Sequence, residues 1–236
     1  MENAMLKTEN IVSGYGKVMI VNDVSLEINK GEIISIIGRN GVGKSTFVKT
    51  VIGLIRAQKG KITFEGKDIT KLKAYSRASI GLAYVPQGHG IFPQLTVEEN
   101  LKMGSMINSK GAKLNFDMVY EEFPRLAERR KQQAGSMSGG EQAMLSIGRV
   151  LVGNPKLLLL DEPSEGVQPN IVEQMGDIVE HISKTLGLTV LMVEQHMGLI
   201  QQITQRGYVL DKGQIVASLT REDVLNTSKV KQYLTV

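Results

Sequence analysis

The stretch Gly38-Arg39-Asn40-Gly41-Val42-Gly43-Lys44-Ser45 decides the fold of this chain, because it has the form G-x-x-x-x-G-K-[ST]. It directly follows the apolar run Ile33-Ile34-Ser35-Ile36-Ile37 and leads into the helix-forming Ser45-Thr46-Phe47-Val48-Lys49. Glycines at positions 38, 41 and 43 let the backbone turn tightly and bring its N–H groups close to phosphate oxygens. A strand, this loop and a helix together predict a binding site for a nucleoside triphosphate.

Two side chains of this loop have specific chemistry. Lys44 is placed to reach the β- and γ-phosphates, and the hydroxyl of Ser45 is suited to complete a Mg²⁺ shell. The N–H groups and the dipole at the start of the following helix also favour an anion. The alternative is a glycine-rich turn that binds nothing, but the flanking strand and helix argue against it. The predicted nucleotide-binding residues are Gly38, Arg39, Asn40, Gly41, Val42, Gly43, Lys44, Ser45 and Thr46.

The composition is that of an ordinary soluble globular protein, with 42% hydrophobic and 22% charged residues among 236. This length suffices for one large core or two joined subdomains, and we expect a single domain over residues 1–236. No run approaches the ~20 apolar residues of a membrane-spanning helix. Met1-Glu2-Asn3-Ala4-Met5 lacks the apolar region of a signal peptide. The sequence therefore predicts a cytoplasmic protein.

Metal and nucleic-acid sites are poorly supported. The chain has no cysteine and only three scattered histidines, so we expect no disulfide, no thiolate metal site and no all-histidine site. ATP with its Mg²⁺ is the only cofactor predicted. The net charge is +4, and Arg129-Arg130-Lys131 is the densest basic cluster. We interpret this cluster as a solvated helix face and predict no nucleic-acid partner, because no basic stripe with interleaved aromatic residues is present.

Hydrophobic periodicity predicts an α/β fold in which antiparallel strands flank a parallel core. Residues 88–152 are more helical and richer in charge, and we interpret them as an inserted helical subdomain. Capping boxes at Thr96-Val97-Glu98-Glu99 and Ser138-Gly139-Gly140-Glu141 predict two helix starts there. The other predicted elements are strands at Lys7–Val12, Val18–Ile28, 32–37, Gly81–Val85, 157–161 and 188–194, helices at about 44–54 and 170–185 and from about Arg221, and hairpins at Lys61–Ile69 and around Lys212.

The run Leu157-Leu158-Leu159-Leu160-Asp161-Glu162 is a buried strand that delivers two carboxylates at its carboxyl end, where α/β sheets bind ligands. Asp161 is suited to hold the Mg²⁺ shell. Glu162 is suited to accept a proton from the water that attacks the γ-phosphate, or to orient that water. Alone, the pair could be exposed acids in a turn before Pro163. Together with a complete phosphate loop, it predicts hydrolysis of the bound nucleotide.

A second glycine-containing helix start, Ser136-Met137-Ser138-Gly139-Gly140-Glu141-Gln142, lies about 20 residues before the acidic pair. A well-capped helix would explain it by itself. Here, however, the chain resembles the nucleotide-binding domains of ATP-binding cassette (ABC) proteins, whose signature is commonly Leu-Ser-Gly-Gly-Gln. Met137 replaces the Leu and Glu141 replaces the Gln. The resemblance covers essentially the whole chain and implies a P-loop NTPase cassette with a mixed core sheet, an antiparallel β subdomain and a helical subdomain.

The resemblance also implies roles for single residues. Tyr15 is similar to the aromatic residue that stacks on adenine, with a turn residue as the alternative. Gln87 resembles the residue between the subdomains that senses Mg²⁺ and the γ-phosphate. His196 resembles the switch histidine that contacts the γ-phosphate, with a satisfied core histidine as the alternative. The predicted catalytic set is Glu162, Lys44, His196 and Gln87, and the predicted metal set is Ser45, Gln87 and Asp161.

Partners follow from the same resemblance. Family members close head to tail as homodimers or heterodimers, with each ATP between the phosphate loop of one chain and the signature Ser138, Gly139, Gly140 and Glu141 of the other. Transmembrane permease subunits, an extracytoplasmic substrate-binding protein and a peripheral position on the inner face of the cell membrane are implied. Apolar Ile91, Phe92 and Leu95 lie after Gln87 and either receive a permease helix or belong to the subdomain core.

One departure and one narrower similarity concern the branch of the family. Many ABC proteins have Asp seven residues beyond the position of Asp161, whereas this chain has Gln168, which puts communication between subunits through that carboxylate in question. Tyr84–Pro93, Leu95–Leu101 and Asp161–Pro169 resemble ATPase subunits of bacterial importers for branched-chain amino acids and related amides. Within this branch, Gly38–Gly43 and Glu165–Pro169 are most similar to urea importer subunits. The alternatives are a non-transport ABC ATPase and an ATP-binding regulatory protein without turnover.

Overall fold

A six-stranded mixed sheet forms the centre of the computed structural model, which describes residues 4–106 and 114–234. Its strand order is β10-β9-β3-β8-β7-β6, with five parallel strands and β10 antiparallel at one edge. The strands of the described chain are β1 (Ala4–Tyr15), β2 (Val18–Asn29), β3 (Ile33–Ile37), β4 (Ala57–Phe64), β5 (Lys67–Asp68), β6 (Leu82–Val85), β7 (Leu157–Asp161), β8 (Thr189–Glu194), β9 (Arg206–Asp211) and β10 (Gln214–Leu219).

The second sheet is antiparallel, with the order β2-β1-β4-β5. Its long strands β1 and β2 alternate buried and exposed residues over part of their length, as expected of a sheet that faces a core on one side. In contrast, every residue of β3, β7 and β8 is buried, because parallel strands are covered on both faces. The prediction of antiparallel strands beside a parallel core is confirmed.

Ten α-helices surround the sheets in the part of the chain that the structure describes. Helix α1 ends two residues earlier than predicted, because Gly53 adopts a left-handed conformation with φ 87° and its N–H closes the last turn. The predicted terminal helix is divided in two at Asn226, whose backbone is extended. The helices are α1 (Lys44–Ile52), α2 (Ala74–Ser79), α3 (Val97–Ser105), α4 (Phe116–Glu122), α5 (Pro124–Glu128), α6 (Gly139–Leu151), α7 (Pro169–Leu186), α8 (Met197–Ile203), α9 (Arg221–Leu225) and α10 (Thr227–Leu234).

Helices α3 to α6 lie between β6 and β7, within the segment 88–152 that was expected to be helical. Both predicted capping boxes are present, at the starts of α3 and α6. Whether this segment is a separate subdomain remains a prediction. The interpretation of Arg129-Arg130-Lys131 as a helix face is wrong, because these residues form a turn after α5. There Arg130 stacks over the ring of Tyr120 at 3.8 Å, and Arg129 pairs with Glu141 at 3.2 Å.

The core that positions the phosphate loop lies between the two sheets and α1. Phe47, Val48 and Val51 of α1 are fully buried and join one hydrophobic cluster with residues of β3, β8 and the antiparallel sheet. The helix is therefore fixed against the sheet over its whole length, which fixes the loop at its N-terminus. No helix in residues 4–106 and 114–234 combines the length and the apolar character that crossing a membrane requires.

Candidate active site

The predicted phosphate loop connects the end of β3 with the start of α1. Gly41 and Gly43 have φ of 81° and 110°, a region that residues with a Cβ rarely adopt. A Cβ at Gly38 would lie 2.4 Å from the carbonyl oxygen of Leu210 in β9, so a larger residue would displace the loop. Three of the loop's glycines are thus required by its geometry, and the loop leads directly into the N-terminus of a nine-residue helix, where N–H groups favour an anion.

Lys44 is almost fully buried at the first position of α1. Its ammonium donates to the carbonyl oxygens of Gly38 at 2.9 Å and Arg39 at 3.0 Å. It also forms a salt bridge of 3.0 Å with Oε1 of Glu162. The loop therefore folds around its own lysine, and phosphate oxygens would compete with these three acceptors for the same donors.

Asp161 ends the central strand β7, and its side chain is completely buried. Oδ1 accepts a hydrogen bond from the hydroxyl of Ser45 at 2.7 Å, and Oδ2 accepts one from the hydroxyl of Tyr84 at 2.9 Å. Burial, together with the neighbouring Asp161 carboxylate, raises the pKa of Tyr84 far above its ordinary value, so the phenol remains a donor. Two of the three predicted metal ligands, Ser45 and Asp161, are thus brought together, whereas the side chain of the third, Gln87, contacts Glu162.

Mg²⁺ fits this donor set. The ion prefers oxygen ligands and retains several waters, so it needs only one or two protein groups besides the phosphates. Ser45 and Asp161 offer a hydroxyl and a carboxylate at the end of the phosphate loop. Within the described ranges 4–106 and 114–234, no cluster of three or more His, Cys, Asp or Glu side chains could hold a metal by itself. The arrangement therefore favours a metal that arrives with the nucleotide.

Glu162 directly follows β7 and has a buried side chain and a left-handed backbone with φ 50°. This conformation costs a non-glycine residue roughly 1–3 kcal/mol and persists only where the surroundings enforce it. Here the N–H of Glu162 donates to the carbonyl oxygen of Val193 in β8 at 2.9 Å. Nε2 of Gln87 lies 3.4 Å from Oε2 of Glu162. The structure thus places three of the predicted catalytic residues, Lys44, Gln87 and Glu162, in one network.

His196 does not join this network. It is the N-cap of α8, and its Nδ1 accepts a hydrogen bond from the N–H of Leu199 at 3.2 Å. This is a capping role that Asp, Asn or Ser usually fills. Because Nδ1 is used as an acceptor, only Nε2 remains to donate to a ligand. Contact between His196 and a γ-phosphate remains a prediction.

Tyr15 and the signature lie on separate elements. Tyr15 ends β1 with 55% of its surface exposed and pairs with the exposed Val18 of β2, so its ring is free to stack on a flat ligand. Ser138 is the exposed N-cap of α6, and its N–H and hydroxyl both donate to Oε2 of Glu141 at 3.0 Å. Among the described residues, the hydrogen bonds and ion pairs of the signature reach Arg129 and not the phosphate loop.

A buried acid that the sequence analysis did not select lies beside Glu162. Glu194 ends β8 and is 1% exposed, and its Oε1 accepts hydrogen bonds from the hydroxyl of Ser164 at 2.6 Å and the N–H of His196 at 2.9 Å. Burial raises the pKa of Glu194, these hydrogen bonds oppose the increase, and the nearby Glu162 carboxylate adds to it. An acid at the carboxyl end of a neighbouring parallel strand was the available signal in the sequence.

Comparison with known proteins places the chain in a family. A family model described as ABC transporter matches residues 21–165. The high-affinity branched-chain amino acid transport ATP-binding protein BraG of Pseudomonas aeruginosa is 44% identical, over 96% of this chain and 97% of that protein. The lipopolysaccharide export system ATP-binding protein LptB of Haemophilus influenzae is 36% identical, over 97% and 96%. A crystal structure of a nucleotide-free ATP-binding cassette from an ABC transporter is similar with a TM-score of 0.83 and 30% identity, over 99% of this chain and 100% of that one.

The matched residues include the complete phosphate loop and the acidic pair Asp161-Glu162, and the structural similarity extends over both sheets and the surrounding helices. The local motifs, the fold and the sequence identity with relatives over nearly the whole chain therefore all indicate the same family. The chain belongs to the ABC transporter family, as one of its ATP-hydrolysing, ATP-binding subunits.

Proposed function

We propose that this chain hydrolyses ATP to drive an importer of branched-chain amino acids. The buried network of Lys44, Ser45, Asp161 and Glu162 around the phosphate loop carries the proposal for hydrolysis. The 44% identity with BraG over nearly the whole chain supports the branch.

The chemistry divides among these residues. Lys44 exchanges its contacts with the loop carbonyls and Glu162 for oxygens of the β- and γ-phosphates. Ser45 and Asp161 would hold Mg²⁺, which would neutralise charge on the phosphates. Glu162, released from Lys44, accepts a hydrogen bond from the attacking water, and Gln87, whose Nε2 lies 3.4 Å from Oε2 of Glu162, helps to orient this carboxylate. Phosphoryl transfer depends mainly on positioning and charge neutralisation, so no further cofactor is needed.

A complete site requires two chains. One chain has two helix starts suited to phosphate, at Lys44 and at Ser138, and no described hydrogen bond or ion pair joins them. In a head-to-tail dimer, the signature of one chain faces the ATP held by the phosphate loop of the other. The second chain is another copy or a related ATPase subunit. Gln168 lies at the start of α7 without a carboxylate for signalling across this dimer.

The permease partner docks in an apolar groove away from the phosphate loop. A cavity of about 910 Å³ lies between α2, the C-terminus of α1 and the ends of α3 and α6. Its lining includes Leu54, Tyr75, Met106 and Leu186, all of which expose more than half of their surface. Exposed apolar side chains around a groove are typical of a protein-binding surface. A short amphipathic helix of the membrane subunit is the occupant that family membership supports, and it would hold this chain at the cytoplasmic face of the membrane.

The loop between Gln87 and Leu101 contributes less to docking than its apolar residues suggested. Ile91 is only partly exposed and packs against the helical core, as the alternative interpretation expected. Phe92 is 42% exposed and lies under the guanidinium of Arg149 at 5.2 Å. We therefore assign the main contact to the groove and a peripheral contact to Phe92.

Uptake measurements in the native host test the proposed function. Replacing the gene by its Glu162→Gln variant should abolish ATP-dependent uptake of leucine, isoleucine and valine, while uptake through unrelated systems serves as the control. Loss of urea uptake instead would favour the urea prediction, which has no support beyond the sequence motifs. A defect in lipopolysaccharide export with normal amino-acid uptake would favour the second candidate, which rests on the 36% identity with LptB.

A further inference from the structure

The loop that follows β7 starts from a strained residue. Glu162 is not a glycine, yet its φ is 50°, so this backbone must be held in place by its neighbours. One backbone hydrogen bond ties it to the central sheet: the N–H of Glu162 donates to the carbonyl oxygen of Val193 at 2.9 Å. The loop continues through Glu165 and Gly166, which are exposed. The N–H of Glu165 donates to the carbonyl oxygen of Glu162 and that of Val167 to Ser164, both at 3.2 Å, but these bonds lie within the loop and do not tie it to the sheet.

A second contact fastens the loop two residues later. The hydroxyl of Ser164 donates to Oε1 of Glu194 at 2.6 Å, and the same oxygen accepts the N–H of His196 at 2.9 Å. Glu194 is 1% exposed, and its Oε2 is buried with no hydrogen-bond partner among the described residues. The carboxyl group is therefore used through one oxygen only, as the acceptor that joins the loop to the turn before α8.

Both the hydrogen bond to Glu162 and the hydrogen bond to Ser164 are made by the last two residues of β8, Val193 and Glu194. This strand lies inside the sheet, with Glu194 opposite Ile37 of β3 and Val193 opposite Asp161 of β7. All six of its residues are buried. A buried side chain on such a strand holds its position, so the hydrogen bond from Ser164 ties the loop to the sheet.

We propose that Glu194 is a positioning residue for hydrolysis, which holds Ser164 so that the strained backbone of Glu162 directs its carboxylate into the phosphate site. This inference rests on the proposed role of Glu162 in hydrolysis. The acceptor oxygen of Glu194 is what matters, and its negative charge is not required. Because a displacement of about 1 Å at a reacting group can reduce a rate by about 10²-fold, a loosened loop lowers kcat without weakening ATP binding.

Three variants of the full chain test this role by steady-state phosphate release. Ser164→Ala removes the donor and should lower kcat by about tenfold, with KM for ATP unchanged. Glu194→Ala removes the acceptor for two donors and should lower kcat by about 10²-fold. Glu194→Gln keeps an acceptor oxygen and should restore kcat to within about threefold of the wild type. The double variant Ser164→Ala/Glu194→Ala should be no slower than Glu194→Ala alone, because both remove one interaction.

A matched control separates positioning from stability. Ser183→Ala also removes a serine hydroxyl that donates a hydrogen bond, here to the carbonyl oxygen of Leu188 at 2.8 Å at the far end of α7. It should reduce the melting temperature as much as Ser164→Ala and leave kcat unchanged.

If Ser164→Ala keeps wild-type kcat, or if Glu194→Gln is as slow as Glu194→Ala, the inference is overturned. If Glu194→Ala does not fold, Ser164→Ala decides alone. If Glu162→Gln itself hydrolyses ATP at the normal rate, the proposed hydrolytic role of Glu162 is rejected, independently of the result for Glu194.

Discussion

The ammonium of Lys44 and the carboxylate of Glu162 form a buried salt bridge of 3.0 Å, with only 3% and 7% of their side-chain surfaces exposed. The residue expected to bind the γ-phosphate thus holds the residue expected to act on the attacking water. Removal of one partner from a buried pair leaves an uncompensated charge, which typically costs about 3–5 kcal/mol. We expect the pair to separate when ATP binds, because phosphate oxygens would compete with Glu162 for the donors of Lys44.

Replacement of Glu162 by Gln should separate ATP binding from turnover. The variant keeps size and hydrogen bonding but loses basicity, so ATP with Mg²⁺ should still bind while phosphate release falls by about 10²-fold or more. The same variant should accumulate an ATP-bound dimer that light scattering detects, because hydrolysis no longer reopens it.

Glu165→Gln is the matched control for this variant. Glu165 is an exposed acid in the same loop, and it should be replaceable with little change in phosphate release. Near-normal turnover of Glu162→Gln would reject its assignment as the hydrolytic residue, whatever the control shows.

The parts of the site that the sequence predicted are local in the chain. The phosphate loop depends on glycines within six positions, and the capping boxes at Thr96 and Ser138 depend on residues three apart. Such patterns determine backbone geometry directly. The contact between Lys44 and Glu162 spans more than a hundred positions, and no local pattern predicts it. The sequence predicted only that both residues act at the same nucleotide site.

A pH-dependent loss of stability is expected from His89. This residue is buried two positions after Gln87, and burial lowers its pKa below 6.5 although the carboxylate of Glu165 opposes the decrease. The unfolded chain therefore binds a proton more readily than the folded one, so the free energy of unfolding falls as the pH drops below about 6.5. Above that pH His89 has no effect, because it is neutral in both states.

His89→Asn tests this expectation. Asn does not titrate and tolerates the left-handed φ of 66° at this position. Urea denaturation at about pH 8 and about pH 5.5 should show a smaller loss of stability in the variant than in the wild type. An equal loss in both proteins would show that other groups account for the acid sensitivity.

The errors of the sequence analysis come from tertiary contacts that override local patterns. Arg129-Arg130-Lys131 has the composition of an exposed helix face, but Arg130 stacks on Tyr120 and Arg129 pairs with Glu141, which favours a turn. The N-cap role of the His196 ring at α8 was also not predicted from the sequence, and contact between His196 and a γ-phosphate stays a prediction. Glu194 was overlooked because the available signal, a single acid at the carboxyl end of a strand, does not by itself distinguish a residue that supports the site.

Single cysteines should locate the permease contact, since the chain contains no natural cysteine. Tyr75→Cys, in the groove and 71% exposed, should crosslink efficiently to a membrane subunit in the assembled complex. Phe92→Cys should crosslink less, and Val216→Cys on β10 is an exposed control that should not crosslink. Gly90 is unsuitable, because its φ is 60° and a Cβ would lie 2.6 Å from the ring of Pro86.

The docking proposal depends on the order of these efficiencies. Efficient capture at Phe92 with none at Tyr75, in a complex that remains intact, would move the docking surface to the loop after Gln87. Capture at Val216 would place the permease on the opposite sheet edge and reject both locations.

Catalysis shared between chains should appear as complementation between two inactive variants. Lys44→Ala removes the cation of the phosphate loop and leaves Glu162 unpaired, whereas Ser138→Arg obstructs the exposed start of α6. Each should be inactive as a homodimer, because each lacks one half of every composite site. A mixture should regain one intact site, formed by the phosphate loop of the Ser138→Arg chain and the signature of the Lys44→Ala chain. ATP-dependent dimerisation and phosphate release should be measured together, since coupling between the two sites could suppress turnover even in a correctly formed mixed dimer.

Two outcomes would change the proposed assembly. Turnover by the wild-type chain as a strict monomer would refute the shared site. Rescue of the mixture only after addition of a different ATPase subunit would identify the native assembly as a heterodimer.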